Sequence, residues 1–237
     1  MGKLVLGADF ETTGLSAVDD RIVEVGAVLY DWDAKTPICL LSMLVHPERP
    51  IPPEVTKIHG ITDDMVDTYG KPERQAIGEF EYLLSCADYA MAHKVDFDKP
   101  FHDAAIAREG IEPTDTLWLC SMQDIKYPES ITTRNLRHLA AEHDFCNPFA
   151  HRALFDVLTM LKVASNYDLD AIVARAQEPT LYVQALVSFD EKEKAKELQF
   201  RWFAPDKIWW RSYKGSDYEA MKDTCGFKTR LLAGPLE

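Results

Sequence analysis

LVLGADFETTG, residues Leu4–Gly14, is the stretch of sequence that decides the fold. It is an apolar strand that ends in two acids and a glycine turn. Because side chains alternate between the two faces of a strand, Asp9 and Glu11 point the same way, about 6–7 Å apart. Two like charges at that spacing repel each other and lose solvation, whereas a divalent cation between them would turn this cost into binding. An isolated Asp-x-Glu is more often a pair of solvated acids than a cation site, so the choice between the two depends on the other residues of the chain.

Length and composition limit the class of protein. The 237 residues, 46% of them hydrophobic, suffice for one large or two unequal domains. No apolar run reaches the roughly 20 residues that span a bilayer, and the N-terminus reads directly into a strand, so we expect no membrane association and no leader. The five cysteines are scattered and contain no Cys-x-x-Cys pair. They predict neither a disulfide framework nor a zinc site, which fits a reducing cytoplasm.

Charge is unevenly distributed along the chain. The formal net charge of −13 argues against non-specific coating of duplex nucleic acid, but not against an enzyme whose nucleic-acid contacts are local. Residues 180–237 hold 10 Lys/Arg and 9 Asp/Glu, a net charge of +1, so the preceding residues carry −14. The C-terminal part therefore differs in electrostatic character from the body of the chain.

The order of strands and helices predicts an α/β fold. After the opening strand, two β-rich runs, residues 22–30 and 37–45, are expected to form an antiparallel meander with it. Later segments alternate between short buried strands and helices with apolar residues at helical spacing: helix 72–87, strand 89–93, helix 97–109, strand 116–119, and helices 133–143 and 152–166. This order predicts a mixed central β-sheet with helices on its faces.

A second, smaller domain is expected at the C-terminus. Residues 168–179 are predicted to form a linker helix that ends at Pro179. Residues 180–237 are predicted to form a small Trp-rich α+β module in the order β-α-β-β-α. Residues 1–167 are then the larger N-terminal domain.

Two further acids and a histidine follow the opening pair. Asp98 comes after a buried strand at the start of a helix, where an acid also serves as a cap worth about 0.5–2 kcal/mol. Asp156 lies early in a helix, in its most apolar part, where an unpaired acid is costly and needs a cation. On one continuous helix His151 and Asp156 would be about 140° apart. We therefore place His151 on the preceding loop, where it either reaches the same site or is an ordinary surface histidine.

This ordered set of residues resembles the DEDDh family of 3′-to-5′ exonucleases, whose fold is ribonuclease H-like. Asp9–Gly14 is similar to the first family motif, His93–Asp98 to the second, and His151–Asp156 to the third in its histidine version. Ile58–Thr62 resembles the segment that lines the terminal-nucleotide pocket. The resemblance covers residues 3–165, which are thus expected to form a DEDDh exonuclease domain within residues 1–167.

Within the family, the third motif and the stretch Trp118–Met122 look most similar to the exodeoxyribonuclease X type of bacteria and phages. The second motif departs from the family at Lys94, where asparagine is frequent. Lys94 either meets a substrate phosphate or is simply solvated. Asp96 is an alternative acid if this segment is extended, and we prefer Asp98 because it completes the Phe-Asp pattern.

The resemblance implies a two-metal hydrolysis of phosphodiester bonds that releases nucleoside 5′-monophosphates from a 3′ end. Two Mg²⁺ or Mn²⁺ ions about 3.5–4 Å apart would hold the attacking and leaving oxygens, and carboxylates are the hard ligands that these ions prefer. We expect Asp9 to bridge the ions, Glu11 and Asp156 to hold one, and Asp98 to hold the other, directly or through water. We expect His151 to deprotonate the attacking water, since an unperturbed imidazole pKa of about 6.5 suits a general base.

Further residues in or beside the motifs are candidate substrate contacts: Phe10, Thr12, Gly14, Leu15, His59 and Lys94. Gly14 would let the strand end meet a nucleotide, and Leu15 is either a wedge against a terminal base or an ordinary packing residue. The implied partner is the 3′ end of DNA, preferably single-stranded. Two rival hypotheses are an exoribonuclease or oligoribonuclease of the same fold, which differs in its 2′-hydroxyl contact, and a non-catalytic nucleic-acid-binding scaffold.

The C-terminal module resembles small domains with an Ala-Lys-x-x-x-φ-Arg-Trp…Lys-x-Trp-Trp pattern that accompany nucleic-acid enzymes. Its candidate contacts are Arg201, Trp202, Trp209 and Trp210. Exposed aromatic and arginine side chains stack single-stranded bases at roughly 1–3 kcal/mol each. The alternative is that the tryptophans form the core of a small module. The sequence leaves the oligomeric state open, and the expected location is a bacterial cytoplasm, or that of a host if a phage encodes the chain.

Overall fold

A computed structural model describes residues 2–236, and the chain divides between Ala176 and Gln177 into two compact units. The elements of the first unit follow one another in this order: β1 (Leu4–Thr12), β2 (Ile22–Asp31), β3 (Thr36–Leu44), α1 (Pro53–His59), α2 (Asp63–Tyr69), α3 (Glu73–Leu84), β4 (Tyr89–Ala92), α4 (Val95–Glu109), β5 (Trp118–Cys120), α5 (Leu136–Glu142), α6 (Ala153–Ala164) and α7 (Leu169–Ala176). None of the helices within residues 2–236 combines the length and apolar character that a membrane crossing requires.

A five-stranded mixed sheet in the order β3-β2-β1-β4-β5 forms the centre of the first unit. Strands β1, β2 and β3 are antiparallel neighbours, whereas β4 is parallel to both β1 and β5. Helices pack on both faces of this sheet. The predicted α/β class, with a mixed sheet flanked by helices, is confirmed.

The two faces of β1 are buried against different helices. Val5 belongs to the core cluster that contains α6, whereas Leu6 and Phe10 belong to the cluster formed with α3 and α4. Since alternate residues of a strand share a face, Asp9 and Glu11 lie on the same side of the sheet as α6. The apolar part of β1 thus fixes the direction in which its two acids point.

Helix α6 crosses β1 and β2 at short range because a glycine lies at each crossing point. A Cβ atom on Gly7 would lie 2.7 Å from Cγ1 of Val157, and one on Gly26 would lie 2.4 Å from the carbonyl carbon of Ala153. Gly26 is paired with Asp9 in the antiparallel register. The start of α6 therefore lies beside the acidic end of β1.

We expect Gly26→Ala to lower the free energy of unfolding by about 1–3 kcal/mol, because its added methyl group meets backbone that cannot rotate away. Gly78→Ala is the matched control, since a Cβ atom there meets nothing within 4 Å and the residue lies inside α3. Alanine in a helix should stabilise by about 0.5–1 kcal/mol relative to glycine. Urea denaturation measures both changes. Equal stability of the two variants would contradict the close approach of α6.

Several boundaries differ from the predicted ones. Helix α4 begins at Val95, two residues earlier than predicted, because the Lys94 carbonyl accepts hydrogen bonds from the backbone N–H groups of Phe97 and Asp98. The segment predicted as a linker helix, 168–179, instead contributes α7 to the first unit. Its residues Leu169 and Ile172 are buried in the main core cluster of that unit.

The second unit is a four-stranded antiparallel sheet with two helices and a short 3₁₀ turn, Phe189–Glu191. Its other elements are β6 (Thr180–Leu186), α8 (Lys192–Glu197), β7 (Arg201–Phe203), β8 (Ile208–Lys214), α9 (Gly215–Lys222) and β9 (Lys228–Leu232), with strand order β7-β8-β6-β9. Strand β9 was not predicted, because a run with two cations in five residues lacks a continuous apolar pattern. The observed order is β-α-β-β-α-β.

Candidate active site

Three of the five predicted catalytic residues meet where β1 ends and α6 begins. Asp9 and Glu11 lie near the end of β1, and Asp156 lies in the first turn of α6. Each offers a carboxylate oxygen, and these three oxygens all lie within 4.8 Å of one another. Strand alternation supplies the first two acids, and the close crossing of α6 supplies the third.

Asp98 approaches the same place from α4. Its side chain is only 2% exposed, and its Oδ1 accepts a hydrogen bond from the backbone N–H of Phe10 at 3.3 Å. It lies outside the cluster of three oxygens but close enough to Asp9 for its charge to raise the pKa of Asp9. The alternative acid, Asp96, is exposed and accepts a hydrogen bond from Nε2 of Gln123. The geometry therefore directs Asp98, and not Asp96, toward the site.

The electrostatics of the four acids are strongly unfavourable without a cation. Burial raises the pKa of all four, to about 7 for Glu11 and for Asp98. The neighbouring carboxylates raise the pKa of Asp9 and of Glu11 further. Each group therefore favours its protonated form at a pH where an isolated carboxyl would be ionised.

This donor set fits a hard divalent cation. The nearby positive side chains, Arg152 for Glu11 and Lys94 for Asp98, lower these pKa values less than burial raises them. Carboxylate oxygens are the ligands that Mg²⁺ and Mn²⁺ prefer. Asp9, Glu11 and Asp156 could hold such an ion together, and Asp98 lies beside them.

His151 lies on the loop just before α6, where it was predicted. Its backbone φ is +64°, its side chain is exposed, and its backbone N–H donates to Oδ2 of Asp156 at 2.9 Å. The other oxygen of Asp156, Oδ1, accepts a hydrogen bond from Nδ2 of Asn147 at 2.6 Å. Asn147 was not among the predicted site residues, and only its place in the loop before the third motif could have suggested it.

An ion pair between a buried acid and a half-buried arginine fixes the start of α6 on the sheet. Glu24 of β2 is 1% exposed and lies opposite Glu11 in the strand register. Its carboxylate accepts hydrogen bonds from Nε and Nη2 of Arg152, the shortest at 2.7 Å, and from the backbone N–H of Ala153 at 3.0 Å. The pair thus ties the residues next to His151 to the strand that neighbours β1.

Glu24 was not predicted either, although its sequence context carries a signal. Glu24 is the one charged residue within the β-rich run 22–30, and its strand is buried on both faces. A lone acid in such a strand needs a partner. Its partner could not be named, because Arg152 is 128 residues away in sequence.

Similarity to known proteins covers most of the first unit. A family model described as exonuclease matches residues 6–164, which contain the four acids and His151. The chain belongs to this exonuclease family. The DNA polymerase III subunit epsilon of Treponema pallidum (strain Nichols) is 41% identical over 100 residues, which are 42% of this chain and 44% of that protein. The chain thus spans less than half the length of this relative, and the predicted membership of an exonuclease family is confirmed.

Solved structures support the fold. E. coli exonuclease I in complex with a dT13 oligonucleotide matches with a TM-score of 0.60 and 17% identity, over 77% of this chain and 48% of that one. Exonuclease X in complex with 5′ overhanging duplex DNA matches with a TM-score of 0.55 and 21% identity, over 72% of this chain and 98% of that one. At these identities the likeness establishes the ribonuclease H-like fold of the exonuclease domain.

The loop after β1 presents apolar side chains to solvent. Leu15 is 85% exposed, so its alternative interpretation as a packing residue is wrong, and Val18, which the sequence analysis missed, is 83% exposed. A Cβ atom on Gly14 would lie 2.3 Å from a carboxylate oxygen of Asp20, which gives this glycine a local role beside its predicted one at a nucleotide. That carboxylate also accepts hydrogen bonds from the Thr13 hydroxyl and the Ser16 backbone. The loop is therefore internally braced with its apolar tip outward.

The other predicted substrate contacts divide between buried and exposed positions. The ring of Phe10 is buried against Phe80, and its backbone N–H donates to Asp98. Its contact with substrate stays a prediction. Thr12 is buried, and its hydroxyl donates to the Gly14 carbonyl. Burial lowers the pKa of His59, which favours its neutral form.

Lys94 differs from these residues because its side chain is exposed. Its ammonium group lies 5.7 Å from the ring centroid of Phe97 and lowers the pKa of Asp98. It therefore places a positive charge near the acids from the solvent side. A phosphate contact is compatible with this position.

The four candidate residues of the second unit do not share one surface. Alternation along β7 and β8, with Arg201 opposite Trp210 and Trp202 opposite Trp209, puts the first pair on one face and the second pair on the other. Trp209 packs against the core of the unit, and its ring centroid lies 5.4 Å from that of Trp202. Any one face of this sheet therefore presents only two of the four candidates, and their contact with nucleic acid stays a prediction.

Proposed function

We propose that this exonuclease-family chain is a divalent-metal-dependent 3′-to-5′ exonuclease that hydrolyses DNA and prefers single strands. The observation that carries the proposal is the convergence of Asp9, Glu11 and Asp156, whose oxygens lie within 4.8 Å of one another beside His151. The 3′-to-5′ direction rests on the similarity of these motifs to the DEDDh family. The relationship to a DNA polymerase III subunit supports DNA as the substrate.

The acids would hold two Mg²⁺ or Mn²⁺ ions. We assign Asp9 to both ions, Glu11 and Asp156 to one, and Asp98 to the other. Bound ions of this kind supply charge that stabilises the transferring phosphate and lowers the pKa of a coordinated water. The pKa values of the acids, raised by burial, support this assignment because cation binding would relieve their mutual repulsion.

His151 is the general base of the proposed reaction. Its backbone N–H donates to Asp156, so the His151 backbone is anchored beside the acids while the residue is exposed to water. Imidazoles in general titrate near neutral pH and accept a proton from an attacking water. Asn147 and the Glu24–Arg152 pair keep the loop and the start of α6 in place.

The terminal nucleotide is proposed to lie against the loop after β1. Leu15, together with Val18, offers an apolar tip for the terminal base. A neutral His59 and the positively charged Lys94 flank the acids on the segments that resemble the family's substrate-binding motifs. Base contact by apolar side chains and phosphate contact by lysine are the two elements that binding a single-stranded end requires.

A panel of labelled substrates tests the proposed activity. Single-stranded DNA, duplex DNA and single-stranded RNA are incubated with the full chain in Mg²⁺ and in EDTA, and the products are separated by size. We expect single-stranded DNA to be shortened fastest, only with Mg²⁺, with mononucleotides as products. Faster shortening of RNA would favour the exoribonuclease alternative, and no turnover of any substrate would favour the non-catalytic scaffold.

A further inference from the structure

One face of the second unit's sheet is free of that unit's helices. Val183, Ala185 and Tyr213 on the other face form the core together with Ala195 of α8, and Met221 of α9 packs against them. Alternation along the strands therefore places the intervening residues on the opposite face. We call this opposite face of β6, β7, β8 and β9 the open face.

Charge on this sheet is segregated by secondary structure. The four strands carry five cations and no acid, whereas every Asp and Glu within residues 180–236 lies on a helix, the 3₁₀ turn or a loop. Of the five cations, Arg211 points to the core side and donates to the Leu198 carbonyl. Arg201, Lys228 and Arg230 lie on the open face and are exposed.

Aromatic side chains lie between these cations. In the register of the sheet, Trp210 lies opposite both Gln184 and Arg201, and Gln184 in turn lies opposite Arg230. The Trp210 ring centroid is 6.3 Å from that of Tyr182. A row thus crosses the whole sheet, with a guanidinium-bearing residue at each edge and an aromatic ring in the middle.

The need for a hydrophobic core does not explain this row. The core of the unit lies on the other face, where Trp209 contributes to it, and neither Trp210 nor Tyr182 belongs to that cluster. Half-buried aromatic rings between exposed cations suit a ligand with planar faces and a repeating negative charge.

We propose that the open face binds a single strand of nucleic acid, separately from the acidic site of the first unit. Trp210 and Tyr182 stack on bases, and Arg201, Lys228 and Arg230 contact phosphates. A single strand fits better than a duplex because base faces are accessible only where bases are unpaired. The complementarity is local, since the chain as a whole carries a net charge of −13.

Fluorescence anisotropy of labelled oligo-dT with the full chain in EDTA tests this proposal without hydrolysis. We expect Trp210→Ala to weaken binding by about tenfold, and Arg201→Glu and Arg230→Glu each by about three- to tenfold at low salt. The two charge reversals change exposed side chains, so they test the face even where Trp210→Ala perturbs folding. Each should also reduce the salt dependence of binding by about one phosphate contact.

Matched controls lie on the covered side of the same unit. Trp202→Ala removes an exposed tryptophan from the other face, and Lys222→Glu reverses a charge on α9. Neither variant should change the affinity for oligo-dT by more than about twofold. Trp202 is not on the open face, and salt screens the charge at position 222 from a ligand bound to that face. The same measurements are made with oligo-U in place of oligo-dT. If the open-face variants lose affinity for both ligands, the open face binds bases and phosphates without contacting the 2′-hydroxyl.

The proposal is overturned if the open-face variants bind oligo-dT as tightly as their controls, or if duplex DNA binds as tightly as oligo-dT. Its failure is separate from failure of the exonuclease proposal, because binding is measured without metal. Hydrolysis of a dinucleotide, which has too few bases to occupy the acidic site and the open face together, should be unchanged in the open-face variants.

Discussion

Replacing Asp9 with asparagine should abolish hydrolysis and, at the same time, make the metal-free protein more stable. Asparagine keeps the size of the side chain but removes the charge that the carboxyls of Glu11, Asp98, Asp156 and Glu24 repel. Loss of a ligand assigned to both ions should lower the rate by a factor of about 10³ or more. A residue that merely supported the fold would change activity and stability in the same direction.

The stability change has a defined pH dependence. Burial raises the pKa of Glu11 and of Asp98 to about 7, whereas unfolded carboxyls titrate near pH 4. Between these values the folded metal-free protein binds more protons than the unfolded chain, so this contribution to stability is largest at low pH and is lost as the pH rises through about 7. Asp9→Asn should therefore stabilise the metal-free protein by on the order of 1–3 kcal/mol at about pH 8 and by less at about pH 5.

Thermal unfolding of both proteins in EDTA and in Mg²⁺ measures this effect. Mg²⁺ should raise the melting temperature of the wild type, more at high pH than at low pH, and should leave Asp9→Asn nearly unchanged. Asp96→Asn is the matched control, since Asp96 is an exposed acid on the same segment as Asp98. A metal-free Asp9→Asn protein less stable than the wild type at about pH 8 would contradict the repulsive cluster.

Replacing His151 with asparagine should lower the hydrolysis rate by about 10²–10⁴-fold while metal affinity persists. Asparagine tolerates the left-handed backbone conformation found at this position, where φ is +64°. The variant therefore keeps the backbone N–H that binds Asp156 and removes only the imidazole. His151→Ala should lose the same rate and, in addition, some stability from backbone strain.

The measurement pairs single-turnover rates with calorimetric titration of Mn²⁺. A rate that falls while the dissociation constant for Mn²⁺ stays within about threefold identifies a base. Asn147→Ala is a useful contrast, because it removes a hydrogen bond to the Asp156 carboxylate and should weaken metal binding and rate together. Parallel loss of affinity and rate in His151→Asn would make His151 a ligand.

Features that depend on neighbouring residues or on the order of elements along the chain could be predicted from the sequence. Strand alternation places Asp9 and Glu11 on one face, and a loop before an apolar helix places His151 ahead of Asp156. The fold class follows from the order of strands and helices, and the order of the motifs indicates the family. Each of these inferences needs only neighbours in sequence or a linear order.

The sequence was insufficient where a residue acts through a distant partner or a close approach. Glu24 holds the start of α6 through its ion pair with Arg152, and Gly26 admits α6 because it lies against the backbone of Ala153. Neither contact can be predicted from the spacing of these residues in the sequence. Phe10 lies between the two acids in sequence, yet its side chain faces the core cluster on the other side of the sheet. Strand alternation predicts this orientation, whereas its place inside the first motif suggested a substrate contact. Strand register likewise separated Trp202 from Trp210.

Product analysis with DNA labelled at its 5′ end tests the central claim most directly. With Mg²⁺, the wild type should convert a single-stranded oligonucleotide into a ladder of labelled fragments that shorten one nucleotide at a time from the 3′ end. EDTA or Asp9→Asn should leave the oligonucleotide intact. Immediate release of the labelled 5′ nucleotide, or an unchanged ladder in EDTA or in Asp9→Asn, would contradict a metal-dependent 3′-to-5′ exonuclease at this site.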